Sequence, residues 1–431
     1  MSKSLNGIFV KHNKNTENSA TEVMPIPDKV SIPMSQHMGK PCDVVVKLTD
    51  EVKVGQLIGA QSGFISAPIH SSVSGKVTGI DDVVLSNGMQ CKTVIITTDK
   101  LQEVAPTVVP PTVTNFDEFI AAVKESGLVG LGGAGFPTYV KFSPKNLSEV
   151  DTLIINGAEC EPYITSDYRC IMEESDNIIK GVAQIKKWLG IKNIYMAIED
   201  NKPEGIKKMQ ELSSKIEGFK IVSLKSKYPQ GGEKVLIYEV TGRIVAEGKL
   251  PADVGVIVSN VTSVAFLAKY LETGMPLVEK RITVDGSAIT SPKNIIAPIG
   301  TSIEDIVNFC GGFKEEPKKI LMGGPMMGLT VRSLDTTLIK NNNAILAFNA
   351  KDSVQKPETA CIRCGRCVSA CPFNLMPAAI AKNYKLGNVD ALINLKVNLC
   401  MECGCCSYVC PAKKDLVLTN KLAKKLIQTK K

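Results

Sequence analysis

Eight cysteines towards the C-terminal end have the type and spacing to hold iron. Cys361, Cys364, Cys367 and Cys371 read C-x-x-C-x-x-C-x-x-x-C-P, and Cys400, Cys403, Cys406 and Cys410 repeat that spacing, again followed by proline. Two-residue gaps let three thiolates of one loop face a single cubane, while the fourth, leaving on a helix, reaches the neighbouring cluster. The pattern predicts two [4Fe-4S] clusters with crossed ligand sets: Cys361, Cys364, Cys367 and Cys410 for one, Cys400, Cys403, Cys406 and Cys371 for the other. A zinc ribbon pairs two C-x-x-C knuckles and has no use for further cysteines at these offsets. Cys405 is read as a bystander. Two adjacent clusters form a one-electron wire, so something must feed it.

The candidate feeder is the loop Gly130-Leu131-Gly132-Gly133-Ala134-Gly135-Phe136-Pro137-Thr138. Its four glycines strip side chains from the backbone and free amides to approach a phosphate or a flat ring. It follows a predicted helix, so it is not the dinucleotide fingerprint, and it lacks the Gly-Lys-Ser/Thr of a P-loop. Three further segments have suitable chemistry. Asn156 to Pro162, with Glu159 and Glu161, follows a strand end, where ligand crevices of α/β sheets lie. Tyr228 to Lys234, with Gly231 and Glu233, opens a helix whose amides suit anions. Val258 to Thr262 offers Asn260 and Thr262 after an apolar run.

Several domains must position these residues, since 431 residues exceed what one core usually serves. Residues 1–105 read as a β-rich lobe of short strands and turns. Pro106, Pro110 and Pro111 mark a break. Across 106–275 helices and strands alternate (FDEFIAAVKES, DTLIING, DNIIKGVAQIKKWLG, NIYMAIED, PEGIKKMQELSSK, FKIVSLK), as an α/β domain requires. Residues 276–345 form a small α+β module. The stretch NNNAILAFNAKDSVQKPE is expected to link it to the cysteine-rich segment, 346–412, with 413–431 as a basic tail. The fold class is α/β multidomain.

In this order the segments resemble the flavin- and NADH-binding subunit of respiratory complex I, and nearly the whole chain resembles the RnfC family, a subunit family of Rnf complexes, with GGAGFPT the most specific motif. The resemblance implies a biotinyl/lipoyl-like sandwich-hybrid lobe, an α/β flavin domain, a β-grasp module of the soluble-ligand-binding type and a ferredoxin-like dicluster domain. It implies FMN held noncovalently between the glycine loop and the Asn260 segment, with NADH stacking on it. Carried onto this sequence, Gly130, Gly132, Gly133 and Lys141 would cradle the phosphate and ribityl. Asn156 and Asn260 would bond the flavin, Phe136 would support a ring and Glu159 would sit near the nicotinamide. Gly135, Glu161, Tyr228, Gly231, Glu233 and Thr262 complete the expected lining. Complex I has an arginine where Leu131 stands, and its Gly-Glu-Glu is here Gly231-Gly232-Glu233, one acidic group short.

As a family member the chain would belong to an ion-translocating ferredoxin:NAD+ oxidoreductase. It would work with membrane-bound Rnf subunits and the ferredoxin-type subunit of the complex, peripherally on the cytoplasmic face of the cell membrane. The cofactors carry the hydride and electron chemistry, so no catalytic side chain is expected. A soluble flavin and iron-sulfur NADH dehydrogenase subunit, or a non-catalytic electron adaptor, would be the alternatives.

Composition sets the outer bounds. Besides the motif cysteines, Cys42, Cys91, Cys160, Cys170 and Cys310 lie scattered, as in a reducing compartment. The N-terminal residues carry no apolar signal segment. The stretch Val254 to Ala268 is too short and too interrupted to span a bilayer. Net charge is +8, of which the last 21 residues hold +6, and aromatics at 5% argue against a nucleic-acid surface. Leu418, Leu422 and Leu426 would give a helical tail one apolar stripe, either solvated or laid on a partner or anionic bilayer. Lys76 sits in Ser-Gly-Lys-Val, not a carrier motif, and His37 and His70 read as turn or core histidines.

Overall fold

Apolar runs build the central sheet. Thr152–Gly157, Asn193–Glu199 and Val256–Asn260 bury nearly every side chain, the pattern of parallel strands covered on both faces. With Phe219–Leu224 they form a four-stranded parallel sheet in the order Phe219–Leu224, Asn193–Glu199, Thr152–Gly157, Val256–Asn260. Leu153 and Ile155 face one side, against helices Ser175–Leu189 and Val261–Thr273. Ile154 and Val258 face the other, against Leu236 and Ile237 of Glu233–Thr241. Ser175–Leu189 turns Ile178, Val182, Ile185 and Leu189 inward at helical spacing and stops at Gly190, whose φ of 68° is left-handed. The computed structural model describes residues 5–430.

The N-terminal lobe is a sandwich of two antiparallel sheets, one of four strands and one of three, closed over Val30, Ile32, Ile58, Ile69, Val94 and Ile96. Lys76 stands within the strand Gly75–Val84 opposite Glu51, away from any hairpin tip. His37 and His70 are buried in this lobe, as expected of turn and core histidines.

A mixed six-stranded sheet makes the third domain, with helix Ile303–Phe309 packed on it. Two of its strands are surprises. Ala344–Phe348, expected from sequence to be a connector, is a fully buried strand between Glu279–Asp285 and Lys319–Met322. Its five apolar residues read equally as a strand or a greasy linker until neighbours cover both faces. Glu22–Val23 adds to the edge at Lys293–Pro298, so residues 8–24 lie outside the sandwich and run as a strap across the molecule. Along the way Ile8 bridges Tyr228, and the Lys14 ammonium donates to the carbonyls of Glu159, Glu161 and Ile164.

The expected basic tail is instead an integral helix of the dicluster domain. Leu416–Thr429 buries Leu416, Asn420, Ala423 and Ile427, which follow the 3.6-residue period, against helices Pro377–Lys385 and Val389–Asn394. A strict four-residue repeat drifts off that face, so Leu418 and Leu422 remain 49% and 39% exposed while Leu426 packs at the edge of the core. Among the described residues no helix is long and apolar enough to cross a membrane.

A buried guanidinium clamps the second and third domains together. Arg281 binds Glu173 and Glu174 at the end of helix Ser166–Glu173, and Glu173 also accepts from the Thr21 amide of the strap. Burial pushes the Glu173 carboxyl up, but Thr21, Arg169 and Arg281 outweigh it and hold the pKa at about 2. Because that lies below the ordinary value of 4.5, the stabilisation is complete above about pH 4.5 and is lost as pH falls towards 2. Arg281→Gln should therefore destabilise the protein at pH 7 by about 2–3 kcal/mol, somewhat below the full range for a broken buried pair. In thermal unfolding by circular dichroism the deficit should narrow below pH 4.5, and a pH-invariant deficit would show that the clamp is not electrostatic.

Candidate functional site

The chain order of the parallel sheet reverses between Thr152–Gly157 and Val256–Asn260, so the connections leave their carboxyl ends in opposite directions and open a crevice there. Asn156 and Asn260 stand in register at its floor. The glycine loop arches over it, tied by the Gly130 amide to Phe136 O (2.9 Å) and the Gly135 amide to Gly130 O (3.1 Å). Its tip, Gly132 to Ala134, is exposed. At Gly133, with φ +119°, an added Cβ would meet nothing within 4 Å, so the backbone faces open space. At Gly132 a Cβ would stand 2.9 Å from Asn260 Nδ2.

The other expected residues gather round the same opening. Lys141 reaches Val258 O (2.8 Å) and Glu233 Oε1 (3.0 Å). Asn156 Nδ2 donates to Gly231 O (2.9 Å), and the Gly231 amide donates to Cys160 Sγ (3.3 Å). Asn260 Oδ1 caps helix Val261–Thr273, accepting from the amides of Thr262 and Ser263. Asn260 Nδ2 and Thr262 Oγ1 both donate to Asp167, at 2.7 Å each. Phe136 is half-buried at the end of the glycine loop.

Two carboxylates are turned inward. Glu159, at φ +49°, accepts from the amides of Asp167 (2.6 Å) and Tyr168 (3.3 Å) and so caps helix Ser166–Glu173. Burial pushes its pKa up and lowers that of its neighbour Lys14. Glu161 accepts from the amides of Met326 (3.1 Å) and Met327 (2.9 Å) in the third domain, and burial pushes it up to about 7. Sequence reasoning missed Asp167, Lys14, Lys280, whose Nζ holds Leu131 O at 3.2 Å, and Asn341, whose Nδ2 holds Gly133 O at 2.8 Å. No local signal marks them, because each acts on a segment far away in sequence.

This crevice fits a flat phosphorylated cofactor such as FMN. It offers a bare glycine backbone, the ammonium of Lys141, amide side chains at the floor, and the buried Gln230 Oε1 and Asn341 Oδ1, which have no hydrogen-bond partner among the described residues.

The cysteines fall into two environments. Cys371, Cys400, Cys403 and Cys406 line a single cavity together with the surplus Cys405 and with Asn420, whose Nδ2 points at Cys400 Sγ (3.4 Å). The fold therefore brings the fourth cysteine of the first motif to the first three of the second. Cys367, raised chiefly by its own burial, also feels Cys410. Cys361 and Cys364 are exposed. Among the described residues no three His, Cys, Asp or Glu side chains gather as they would round a single ion, whereas the four motif thiols among the five cysteines lining this cavity suit a cubane.

The first environment abuts the crevice. Tyr228, only 1% exposed, donates its hydroxyl to Cys403 O (2.8 Å). A Cβ on Gly232 would lie 2.1 Å from Met401 Cε. Cys405, the surplus thiol, is buried beside Tyr228 O.

Comparison with known proteins places each domain. Residues 123–269 match the Nuo51 FMN-binding domain, 3–101 the RnfC barrel sandwich hybrid domain, 281–330 the SLBB domain and 353–411 the 4Fe-4S dicluster domain. Among curated relatives, the C subunit of the proton-translocating ferredoxin:NAD+ oxidoreductase complex of Clostridium ljungdahlii is 45% identical over 85% of this chain and 81% of its own length. The Na+-translocating counterpart of Acetobacterium woodii is 39% identical over 83% and 81%. The C subunit of the ion-translocating oxidoreductase complex of Rhodobacter capsulatus is 37% identical over 88% and 74%. A chain of an NAD+-reducing [NiFe]-hydrogenase shares the fold at a TM-score of 0.52 and 16% identity, over 75% of this chain and 62% of that one.

The two cysteine environments make a prediction about cluster assembly. Cys371→Ser, although in the first motif, should remove the same electron paramagnetic resonance signal as Cys400→Ser, and Cys410→Ser should remove the other. Loss of one signal by both Cys371→Ser and Cys361→Ser would overturn the crossed arrangement.

Proposed function

This chain belongs to the RnfC family of ion-translocating ferredoxin:NAD+ oxidoreductases, and from that membership we propose that its switch-point crevice binds FMN and NAD(H) and delivers electrons to the cluster bound by Cys371, Cys400, Cys403 and Cys406. FMN, when bound, supplies the conversion of a two-electron hydride into single electrons. The residues of the chain bind and orient. Gly130, Gly132, Gly133 and Gly135 present amides, and Lys141 supplies positive charge near the phosphate. Asn156 and Asn260 meet the flavin ring from the two strand ends, with Asp167 fixing Asn260 and Thr262. Phe136, Tyr228, Gly231 and Glu233 shape the walls.

Hydride transfer needs the nicotinamide stacked on the flavin at about 3–3.5 Å. Glu159 and Glu161 line the loop beside that position and stiffen it through their backbone partners. The observation that carries the reading is the junction at Tyr228 and Gly232, which sets the crevice directly against the Cys403 cavity. The protein would sit on the cytoplasmic side of the membrane and exchange electrons with the ferredoxin-type and membrane-bound subunits of its complex, and in the ferredoxin-to-NAD+ direction it would reduce NAD+.

The direct test is an anaerobic spectrum of the reconstituted protein. NADH should bleach a flavin band and then the iron-sulfur absorbance, whereas iron-sulfur absorbance without flavin would reduce the protein to an electron adaptor. Gly132→Ala should lower FMN content at least about tenfold, equivalent to about 1.4 kcal/mol of binding, because its methyl group displaces Asn260. FMN retained at the wild-type level would place the cofactor elsewhere.

A further inference from the structure

The net charge of the chain is confined to its cluster domain. Residues 351–431 hold fourteen Lys and Arg against five Asp and Glu, a net +9, while the whole chain carries +8, so the other 350 residues are together at −1. Part of this charge is neutralised locally: Lys414 binds Glu358, and Lys421 and Lys424 bind Glu402. Among the described residues Arg363, Arg366, Lys382 and Lys413 make no ion pair.

Those four lie on segments that carry or touch the second cysteine set. Arg363 and Arg366 lie inside the Cys361-to-Cys367 loop and are exposed. The amide of Lys413 donates to Cys410 O (3.1 Å). Lys382 lies on helix Pro377–Lys385, whose Ala378 amide approaches the Cys367 sulfur. The same rim exposes Ile362 at 66%. Cys361 and Cys364 are exposed there, whereas Cys371, Cys403 and Cys406 are buried and the Cys403 carbonyl meets Tyr228 of the flavin domain.

We propose that this rim is the port through which single electrons cross between the chain and a partner, and that the partner is a protein one-electron carrier presenting an acidic face. This rests on the wire proposed above and adds where it ends and what meets it. A small apolar centre in a ring of unpaired cations is the make-up of a transient electron-transfer contact, in which charge steers encounter while the buried area stays small. An anionic bilayer could also bind the cations, but it cannot accept an electron, and the cations ring the exposed thiols. In the step itself one electron leaves the carrier's centre and enters the cluster near Cys361, with no bond made or broken.

The test uses the full reconstituted protein, oxidised, mixed in stopped flow with a reduced acidic [2Fe-2S] ferredoxin, whose absorbance is distinct from that of cubanes. Reduced methyl viologen serves as a cationic donor. The second-order rate with ferredoxin should fall at least about tenfold between low and high salt, and the rate with viologen should not fall. Lys382→Glu with Lys413→Glu should slow the ferredoxin at low salt by about tenfold and flatten its salt dependence, leaving viologen as fast or faster. Arg363→Glu with Arg366→Glu should do the same where both clusters assemble. Unchanged ferredoxin rates in variants with intact clusters would overturn the proposal, as would variants that lose only sedimentation with phosphatidylserine vesicles. Neither donor route involves NADH, so failure of the nucleotide reading would leave these rates unaffected.

Discussion

Tyr228 donates its hydroxyl to the carbonyl of Cys403 from a position sealed off from water, and four residues later Gly232 leaves no room for a methyl group before Met401 begins. These contacts fix the distance between crevice and cluster cavity, and electron tunnelling falls steeply with distance. The same short loop is bound on its other side by Asn156, from the strand that floors the crevice. Burying a phenol costs stability unless its hydroxyl finds a partner, and the Cys403 carbonyl supplies one. A single segment therefore belongs to both sites, which ties the second and fourth domains into one unit.

The remaining parts hold that unit in place. The strap from residues 8–24 inserts a lysine under the Glu159 loop and ends as an edge strand of the third domain. Glu161 reaches from the crevice loop to the Met326 and Met327 amides of that domain, and Arg281 reaches back to Glu173 and Glu174. A third buried cation, Lys340, joins Pro68 O (2.6 Å) of the sandwich to Gly127 O (2.7 Å) of the flavin domain. Each of these groups lies at a domain boundary. Buried charges are costly when unpaired and strongly directional when satisfied, so they fix one relative arrangement of domains where apolar contact alone would tolerate sliding.

Legibility in the sequence followed locality. The cysteine spacing is a local code, and the glycine loop, the alternating helices and strands and the helix ending at Gly190 are local too, so all could be read in advance. Ala344–Phe348 could not, because a buried strand is defined by its neighbours, here Glu279–Asp285 and Lys319–Met322, which only the folded chain brings to its two sides. The C-terminal helix was legible as a possible helix with a leucine stripe, but its packing into the dicluster domain was not, since leucines at every fourth position draw the eye while Leu416, Asn420, Ala423 and Ile427 track the true period. Asp167, Lys14 and Lys280 were invisible for a related reason. Their work is done on backbone atoms and side chains that only the folded chain brings near.

On the proposed function, electrons from NADH pass first to the crevice, then to the cavity of Cys371, Cys400, Cys403 and Cys406, then to the exposed cluster. The most direct test is rapid mixing of NADH with the reconstituted Cys406→Ala variant, which lacks the middle cluster, followed by freeze-quench electron paramagnetic resonance. Flavin bleaching should run at the wild-type rate, with the remaining cluster left oxidised on the wild-type timescale. Reduction of that cluster as fast as in the intact protein would contradict that order.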